Sequence, residues 1–117
     1  MGWTMNDVEI YLQRQAGKNT LSLEAALLTE ILAMARPLGW LCYHTHDSRR
    51  SAAGFPDLVL VNATRVIFAE LKTRTGKVTA EQELWLTVLR HTEKVEVYLW
   101  RPADLAQIQT ILEGQKV

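Results

Sequence analysis

The 117 residues fit one domain of ordinary size, and 48% hydrophobic with 22% charged residues is a globular composition. No apolar run approaches the ~18 residues of a membrane span, and residues 1–7 lack the basic and apolar segments of a signal peptide, so we expect a cytoplasmic protein without a membrane anchor. Lysine and arginine (13) balance aspartate and glutamate (13), so the overall charge does not by itself indicate a nucleic-acid-binding protein.

A short first helix is predicted over residues 6–16, with Asn6 as its N-cap and Gly17 as its end. One narrow apolar stripe follows this helix and consists of Val8, Tyr11 and Leu12. A stripe of this width packs on its own domain or against a partner subunit. Together with the nearby Trp3, it makes residues 1–16 our candidate contribution to a dimer interface.

The second predicted helix covers residues 23–36, with Ser22 as N-cap and residues 37–39 as the stop. At about 100° per residue, its apolar side chains form one broad face. Glu24 points to the middle of that face, whereas Glu30 lies at its edge. A buried carboxylate is costly unless it has a partner, although a helix N-terminus also favours an acid.

Residues 39–44 are predicted to form the first strand, followed by a polar loop over residues 45–53. The chain's one cysteine, Cys42, lies in this apolar run, so we expect a reduced thiol buried in the core. His44 and His46 have the i, i+2 spacing of a metal pair on a strand. The sequence offers no third nitrogen or sulfur ligand nearby, so we do not expect a zinc site.

Two β-branched runs, Gly54–Val61 and Val66–Lys72, flank the polar residues 62–65 and predict a β-hairpin. If those four residues are the loop, Val61 pairs with Val66. The sum of paired residue numbers then stays at 127 along the whole antiparallel ladder. This register fixes which charged side chains meet at the open end of the hairpin.

In that register Asp57 lies opposite Glu70, with Cβ atoms about 5 Å apart, and Lys72 points to the same face as Glu70. Two carboxylates this close repel each other unless a cation lies between them. Oxygen ligands at this spacing suit a hard ion such as Mg²⁺. The alternative is a buried structural ion pair, which leaves the second acid uncompensated.

The remaining elements complete an α/β protein. Thr79 to Gln82 form a capping box that opens a helix ending near Arg90. Lys94–Trp100 alternates and then turns apolar, which predicts a strand, and Pro102 begins a last helix. The order α, α, β, β, β, α, β, α predicts a mixed central sheet, antiparallel in the hairpin, with flanking helices.

Positive charge collects around the hairpin. Residues 44–77 hold six lysines and arginines against three acids, a net charge of +3, whereas the segments before and after it are net negative. A phosphate backbone would meet this side first, unless these are ordinary solvated surface cations. The candidates for phosphate contacts are His44, Arg49, Arg50, Arg74 and Lys77.

The hairpin residues carry a resemblance to a known family. Pro56-Asp57 followed by Glu70-Leu71-Lys72 matches the PD-(D/E)XK nuclease signature, and the surrounding residues sharpen the match: Gly54-Phe55-Pro56-Asp57-Leu58, Glu70-Leu71-Lys72-Thr73, Gly76-Lys77-Val78-Thr79-Ala80-Glu81-Gln82 and Trp85-Leu86. These resemble the VRR-NUC branch of that superfamily. The resemblance covers about residues 22–105, within a single domain of residues 1–117 whose first 20 residues form a helical extension. Stand-alone members are small and often phage-encoded.

The resemblance implies a restriction-endonuclease-like core and a deoxyribonuclease that depends on Mg²⁺ or Mn²⁺. It implies that Asp57, Glu70 and the Leu71 carbonyl hold the first ion. An acid on the first core helix would help to hold a second ion, and Glu24 matches that position better than Glu30.

The resemblance also assigns roles around the ion. Lys72 would stabilise the attacking hydroxide or the charge on phosphorus, and Gln82 would orient the water or Lys72. Gln82 as the N3 residue of its helix is equally well explained as a cap.

The family points to branched DNA, such as Holliday junctions, cut by a homodimer that leaves a 5′-phosphate. Two other functions remain open: a restriction-like, sequence-specific nuclease, and a catalytically silent DNA-binding or scaffold module. Little of the chain is left for a separate target-reading domain, and the motif is intact.

Overall fold

The computed structural model describes residues 2, 4–8, 10, 20–45 and 51–114. Their main elements, in chain order, are α1 (Thr20–Ala35), β1 (Leu41–His44), β2 (Leu58–Val61), β3 (Val66–Leu71), α2 (Ala80–Arg90), β4 (Glu96–Trp100) and α3 (Leu105–Leu112). Short 3₁₀ turns over Arg36–Leu38 and Pro102–Asp104 follow α1 and precede α3. None of the described helices is long and apolar enough to cross a membrane.

The four strands form one mixed sheet in the order β1-β2-β3-β4. β1 pairs with β2 and β2 with β3 in antiparallel fashion, whereas β3 and β4 are parallel and are joined through α2. The predicted α/β class with a mixed sheet and flanking helices is therefore confirmed.

The register of the hairpin is the predicted one, with Val61 opposite Val66 and Leu58 opposite Ala69. The loop is fixed by Asn62, whose Oδ1 accepts hydrogen bonds from the backbone N–H groups of Thr64 (2.9 Å) and Arg65 (2.8 Å). Such an Asx turn holds the loop at four residues, and the loop length in turn sets the register along both strands.

One face of the sheet builds the core with α1 and α3. The fully buried members of this cluster are Ile31, Ala35, Leu58, Leu60, Ile67, Ala69 and Ile108. Burying a large aliphatic side chain stabilises a fold by about 1.5–3 kcal/mol, so this cluster supplies the main stabilising contribution. It places the N-terminal half of α1 over the open end of the hairpin.

The first turn of α1 lies earlier than predicted. The helix includes Thr20 and Ser22, so Ser22 is not its N-cap, and the predicted start at Leu23 is wrong. Helix ends read from sequence commonly differ from the structure by a few residues, because several neighbouring residues can start a helix. The predicted stop is confirmed, because the chain turns through a 3₁₀ turn to Gly39 at φ 91°.

The N-terminal segment has a different cap from the predicted Asn6. Residues 5–8 and 10 are helical. Thr4 Oγ1 accepts from the Asp7 N–H at 3.1 Å while Asp7 Oδ2 accepts from the Thr4 N–H at 2.9 Å. This reciprocal pair satisfies two helix-end donors and starts the helix at Met5. Of the predicted dimer interface, Val8 lies in this helix, whereas Tyr11, Leu12 and Trp3 lie outside the described residues.

Two strands are shorter than predicted. β1 begins at Leu41 and not at residue 39, because Gly39 still belongs to the turn after α1. β4 begins at Glu96 and not at Lys94, because Lys94 has φ 67° and closes the turn after α2.

Cys42 is half-buried, and the prediction of a buried thiol is therefore wrong. β1 is an edge strand, with Leu41 (74% exposed) and Tyr43 (60% exposed) facing solvent. Cys42 faces the core side of that edge, its thiol lies 3.6 Å from the Trp40 carbonyl oxygen, and partial burial raises the pKa of the thiol.

Candidate active site

The hairpin brings Asp57, Glu70 and Lys72 together. Asp57 precedes β2 by one residue, so the confirmed register places it opposite Glu70. Its Oδ2 accepts a hydrogen bond from the Leu71 N–H at 2.9 Å, and Lys72 Nζ lies 3.8 Å from Glu70 Oε2. Two carboxylates and an ammonium therefore share one end of the sheet, as the hairpin pattern predicts.

These groups line a cleft of about 450 Å³, which we call the carboxylate cleft. Residues from α1, β1, both hairpin strands and α2 contribute to it: Glu24, Ala25, Leu28, His44, Thr45, Asp57, Glu70, Leu71, Lys72 and Gln82. The structure thus brings together all six residues that the sequence assigns to catalysis or metal binding, with one of the candidate phosphate contacts.

Glu70 is the most unusual group in the carboxylate cleft, because only 1% of it is exposed. Burial, reinforced by the charge of Asp57, raises its pKa to about 8. Glu70 Oε2 accepts from Gln82 Nε2 at 2.8 Å, whereas Oε1 is buried with no hydrogen-bond partner among the described residues. A buried carboxylate oxygen without a partner is costly, so this position favours a cation.

Glu24 faces the carboxylate cleft, and Glu30 does not. Glu24 is half-buried, and burial first, then the charge of Asp57, raises its pKa, while the nearby ammonium of Lys72 partly offsets the rise. Glu30 is exposed and borders a separate apolar groove. The helical phase worked out from the sequence therefore agrees with the structure.

Gln82 serves both of the purposes considered for it. As a cap, its Oε1 accepts from the Thr79 N–H at 2.9 Å, and the Thr79 hydroxyl accepts from the Gln82 N–H at 3.1 Å. As a site residue, its Nε2 donates to Glu70. One amide group therefore ties the first turn of α2 to the buried carboxylate.

A second contact with α2, which the sequence did not reveal, fixes the segment before Asp57. Gly54 has φ 85°, and an ideal Cβ there would lie 2.4 Å from the Glu81 carbonyl carbon, so only glycine fits. Trp85 Nε1 donates to the Ala53 carbonyl at 3.0 Å, and Phe55 packs edge-on against Trp85 with ring centroids 5.1 Å apart. The glycine and aromatic residues of the motif were the available signal.

The donor set of the carboxylate cleft fits a divalent cation. Mg²⁺ in proteins is commonly held by one or two carboxylates, with waters and substrate phosphates completing the shell. Asp57 and Glu70 supply two carboxylates, and the Glu70 oxygen without a partner is the observation that favours an ion there. Among the described residues no three His, Cys, Asp or Glu side chains lie close enough to hold an ion by themselves. Glu24 therefore lines the cleft without completing such a cluster.

The candidate phosphate contacts divide into three groups. His44 lines the carboxylate cleft. Arg74 and Lys77 are exposed in the segment that follows Lys72. Arg49 and Arg50 lie outside the described residues, so their prediction stays a prediction.

A comparison of the sequence with known proteins and protein families identifies the family to which this site belongs. No curated protein and no solved structure matches the chain. The family model described as the VRR-NUC domain matches residues 7–102, a range that contains every residue of the carboxylate cleft. Because this match covers most of the chain and joins a mixed-sheet α/β fold to the predicted motif, the protein belongs to the VRR-NUC family of nucleases.

Proposed function

We propose that this protein is a metal-dependent deoxyribonuclease that hydrolyses phosphodiester bonds in the carboxylate cleft. The observation that carries the proposal is the buried Glu70, whose Oε1 has no partner among the described residues and whose pKa is raised to about 8. A neutral side chain at this position would avoid the cost of burying a carboxylate, so the presence of an acid here supports a role in holding a cation.

In this proposal Asp57 and Glu70, with the Leu71 carbonyl, hold Mg²⁺ or Mn²⁺. Such an ion supplies Lewis-acid stabilisation of phosphoryl charge and lowers the pKa of a bound water. Gln82 holds Glu70 Oε2 in place, which leaves Oε1 available as a ligand. The Leu71 N–H does the same for Asp57 by donating to Oδ2.

Lys72 and Glu24 complete the proposed site. The Lys72 ammonium, 3.8 Å from Glu70 and 11% exposed as a side chain, would stabilise negative charge on the attacking oxygen or the phosphate. Glu24 would hold a water or a second ion on the opposite wall of the cleft.

We propose DNA as the substrate, with the phosphate backbone contacted by His44, Arg49, Arg50, Arg74 and Lys77. We further propose branched DNA, such as a four-way junction, cut by a homodimer. Two matched cuts on opposing strands need two sites, and one chain offers one carboxylate cleft in the described part. A two-fold dimer is the commonest way to supply the second site.

The test is cleavage of labelled four-way, flap and linear DNA by the purified protein with Mg²⁺, with Mn²⁺ or with EDTA. We expect cleavage with either metal, none with EDTA, and the highest rate on the branched substrates. Asp57→Asn and Glu70→Gln should abolish cleavage, whereas Glu30→Gln, an exposed glutamate outside the cleft, serves as the matched control and should remain active.

Three other outcomes would replace the proposal. Binding of DNA without cleavage under any metal condition would favour a silent scaffold module. Cutting of linear duplex at one defined sequence would favour a restriction-like enzyme. Cleavage by Asp57→Asn near the wild-type rate would show that the reaction takes place elsewhere.

A further inference from the structure

Arg101 follows β4 directly and contacts the segment after Lys72. Its Nη1 donates to two backbone carbonyls, those of Thr73 at 2.7 Å and Gly76 at 2.8 Å. Hydrogen bonds from an ionised donor are stronger than neutral ones, so one nitrogen of Arg101 joins both ends of the turn over residues 73–76. Arg101 does not itself line the carboxylate cleft.

The turn over residues 73–76 is also closed from within. The Gly76 N–H donates to the Thr73 carbonyl at 3.3 Å and to the Thr73 hydroxyl at 3.0 Å, and Thr73 is only 8% exposed. Thr73 Oγ1 is thus held inside the turn, while Arg101 holds the carbonyls of Thr73 and Gly76. The turn is a compact unit with contacts that reach across to β4.

This turn borders the side chain of Lys72. An ideal Cβ on Gly76 would lie 3.5 Å from Lys72 Cδ, so the Gly76 backbone lies beside the aliphatic stem of the lysine. The Lys72 N–H donates to the carbonyl of Trp100, the residue before Arg101, at 3.0 Å. Lys72 is therefore anchored to the end of β4 through its backbone, and the turn that Arg101 closes lies beside its stem.

We propose that Arg101 is a positioning residue, which holds the turn over residues 73–76 against the stem of Lys72 and so keeps the Lys72 ammonium beside Glu70. The consequence for activity rests on the proposed function, in which Lys72 acts during hydrolysis. A lysine side chain has four rotatable bonds and loses much rotamer freedom when ordered. Removing the wall beside its stem restores that freedom, and a displacement of about 1 Å in such a group costs on the order of 100-fold in rate.

The test compares three variants by kcat and KM for DNA at saturating metal. Arg101→Met keeps the length of the stem and removes the donors. Arg101→Lys keeps one charged nitrogen. Because a single nitrogen of Arg101 donates to both carbonyls, this variant tests whether one nitrogen is enough. Arg90→Met is the matched control, because Arg90 is an exposed arginine whose ion pair with Glu83, at 3.8 Å, lies on the surface of α2.

We expect Arg101→Met to lower kcat by about 10- to 100-fold with KM changed by less than about threefold. Arg101→Lys should recover part of that loss, and Arg90→Met should match the wild type. A wild-type kcat in Arg101→Met would overturn the proposal. A rise in KM with kcat unchanged would also overturn it, because the turn would then serve DNA binding and not Lys72.

A further variant and a further measurement keep the proposal testable if Arg101→Met does not fold or if the wild type does not cut DNA. Gly76→Ala leaves Arg101 in place but puts a Cβ 3.0 Å from the Thr73 hydroxyl oxygen, a contact tight enough to displace the turn, so it should also lower kcat. In NMR, a nuclear Overhauser contact between the Lys72 side-chain methylenes and the Gly76 Hα should be present in the wild type and lost in Arg101→Met. Retention of that contact in Arg101→Met would overturn the positioning role. If the wild type is inactive but Arg101→Met still loses the contact, only the proposed function is overturned.

Discussion

Glu70→Gln should stabilise the metal-free protein at alkaline pH. Glu70 has a pKa of about 8 in the folded state against an ordinary value of 4.5. Between those two pH values the folded chain keeps a proton that the unfolded chain has lost. The contribution of this group to stability is therefore fully present below about pH 4.5 and is lost as the pH rises towards 8.

The size of the effect follows from the two pKa values. A difference of about 3.5 pH units at about 1.36 kcal/mol per unit sets a ceiling near 5 kcal/mol. The Lys72 ammonium, 3.8 Å from Glu70, offsets part of this cost, so we expect Glu70→Gln to gain less than the ceiling, about 1–4 kcal/mol at pH 8.5, the range seen when buried ion pairs are replaced. The glutamine can still accept from Gln82 through its oxygen, so the hydrogen bond to Nε2 is retained. At about 4 °C per kcal/mol for a domain near this size, the melting temperature should rise by at least about 4 °C.

The assay is thermal unfolding at pH 5.0 and pH 8.5 in EDTA and again with Mg²⁺. At pH 5.0 the wild type and Glu70→Gln should differ by no more than about 1 kcal/mol, because Glu70 is protonated in the folded wild type and has only begun to ionise in the unfolded chain. With Mg²⁺ at about 100 times its Kd, ligand linkage should add about 2.7 kcal/mol to the wild type and little to the variant. Glu30→Gln, at an exposed helical position, is the control and should follow the wild type throughout. An equal stability difference at both pH values would refute the reasoning, because it would show that ionisation of Glu70 is not the cause.

Three further predictions concern the helix acid, the glycine contact and the assembly. Glu24→Gln should reduce DNA cleavage by at least about 10-fold while Glu30→Gln stays near the wild-type rate, and the reverse order would show that Glu24 has no part in the reaction. Gly54→Ala should lower the free energy of unfolding in urea by more than about 2 kcal/mol, because its Cβ would clash with the α2 backbone. Gly39→Ala, also at positive φ but with open space around it, should lower it by only about 1 kcal/mol. Equal losses would argue against the clash. Light scattering should report about twice the 13.3 kDa chain mass, and a monomeric mass together with paired cuts on a junction would leave assembly on DNA as the alternative.

The sequence predicts the centre of this site well because local patterns determine it. The four-residue loop sets the hairpin register, and the register alone brings Asp57 and Glu70 together. The phase of Glu24 follows in the same way from the period of an α-helix. Both inferences depend on residues close together in the chain, where backbone geometry leaves few alternatives.

The predictions that failed depend on choices that local sequence does not resolve. Thr4 and Asn6 are both good N-caps, and the structure selects Thr4 because Asp7 returns the hydrogen bond. The exposure of β1 depends on its place at the edge of the sheet, and a short apolar run does not reveal whether its strand is central or at an edge. The half-burial of Cys42 is a consequence of that place.

The contacts that hold the site together come from distant parts of the chain, and this explains why sequence reasoning did not find them. The segment before Asp57 rests on α2 through Gly54, and the turn after Lys72 is closed by Arg101 from the end of β4. The first contact holds the segment that carries Asp57 and the second holds the turn that follows Lys72, so both support groups that line the carboxylate cleft. Groups of this kind stay in place only when their surroundings hold them. The variants most informative about function are therefore those that loosen these contacts without altering the charged groups.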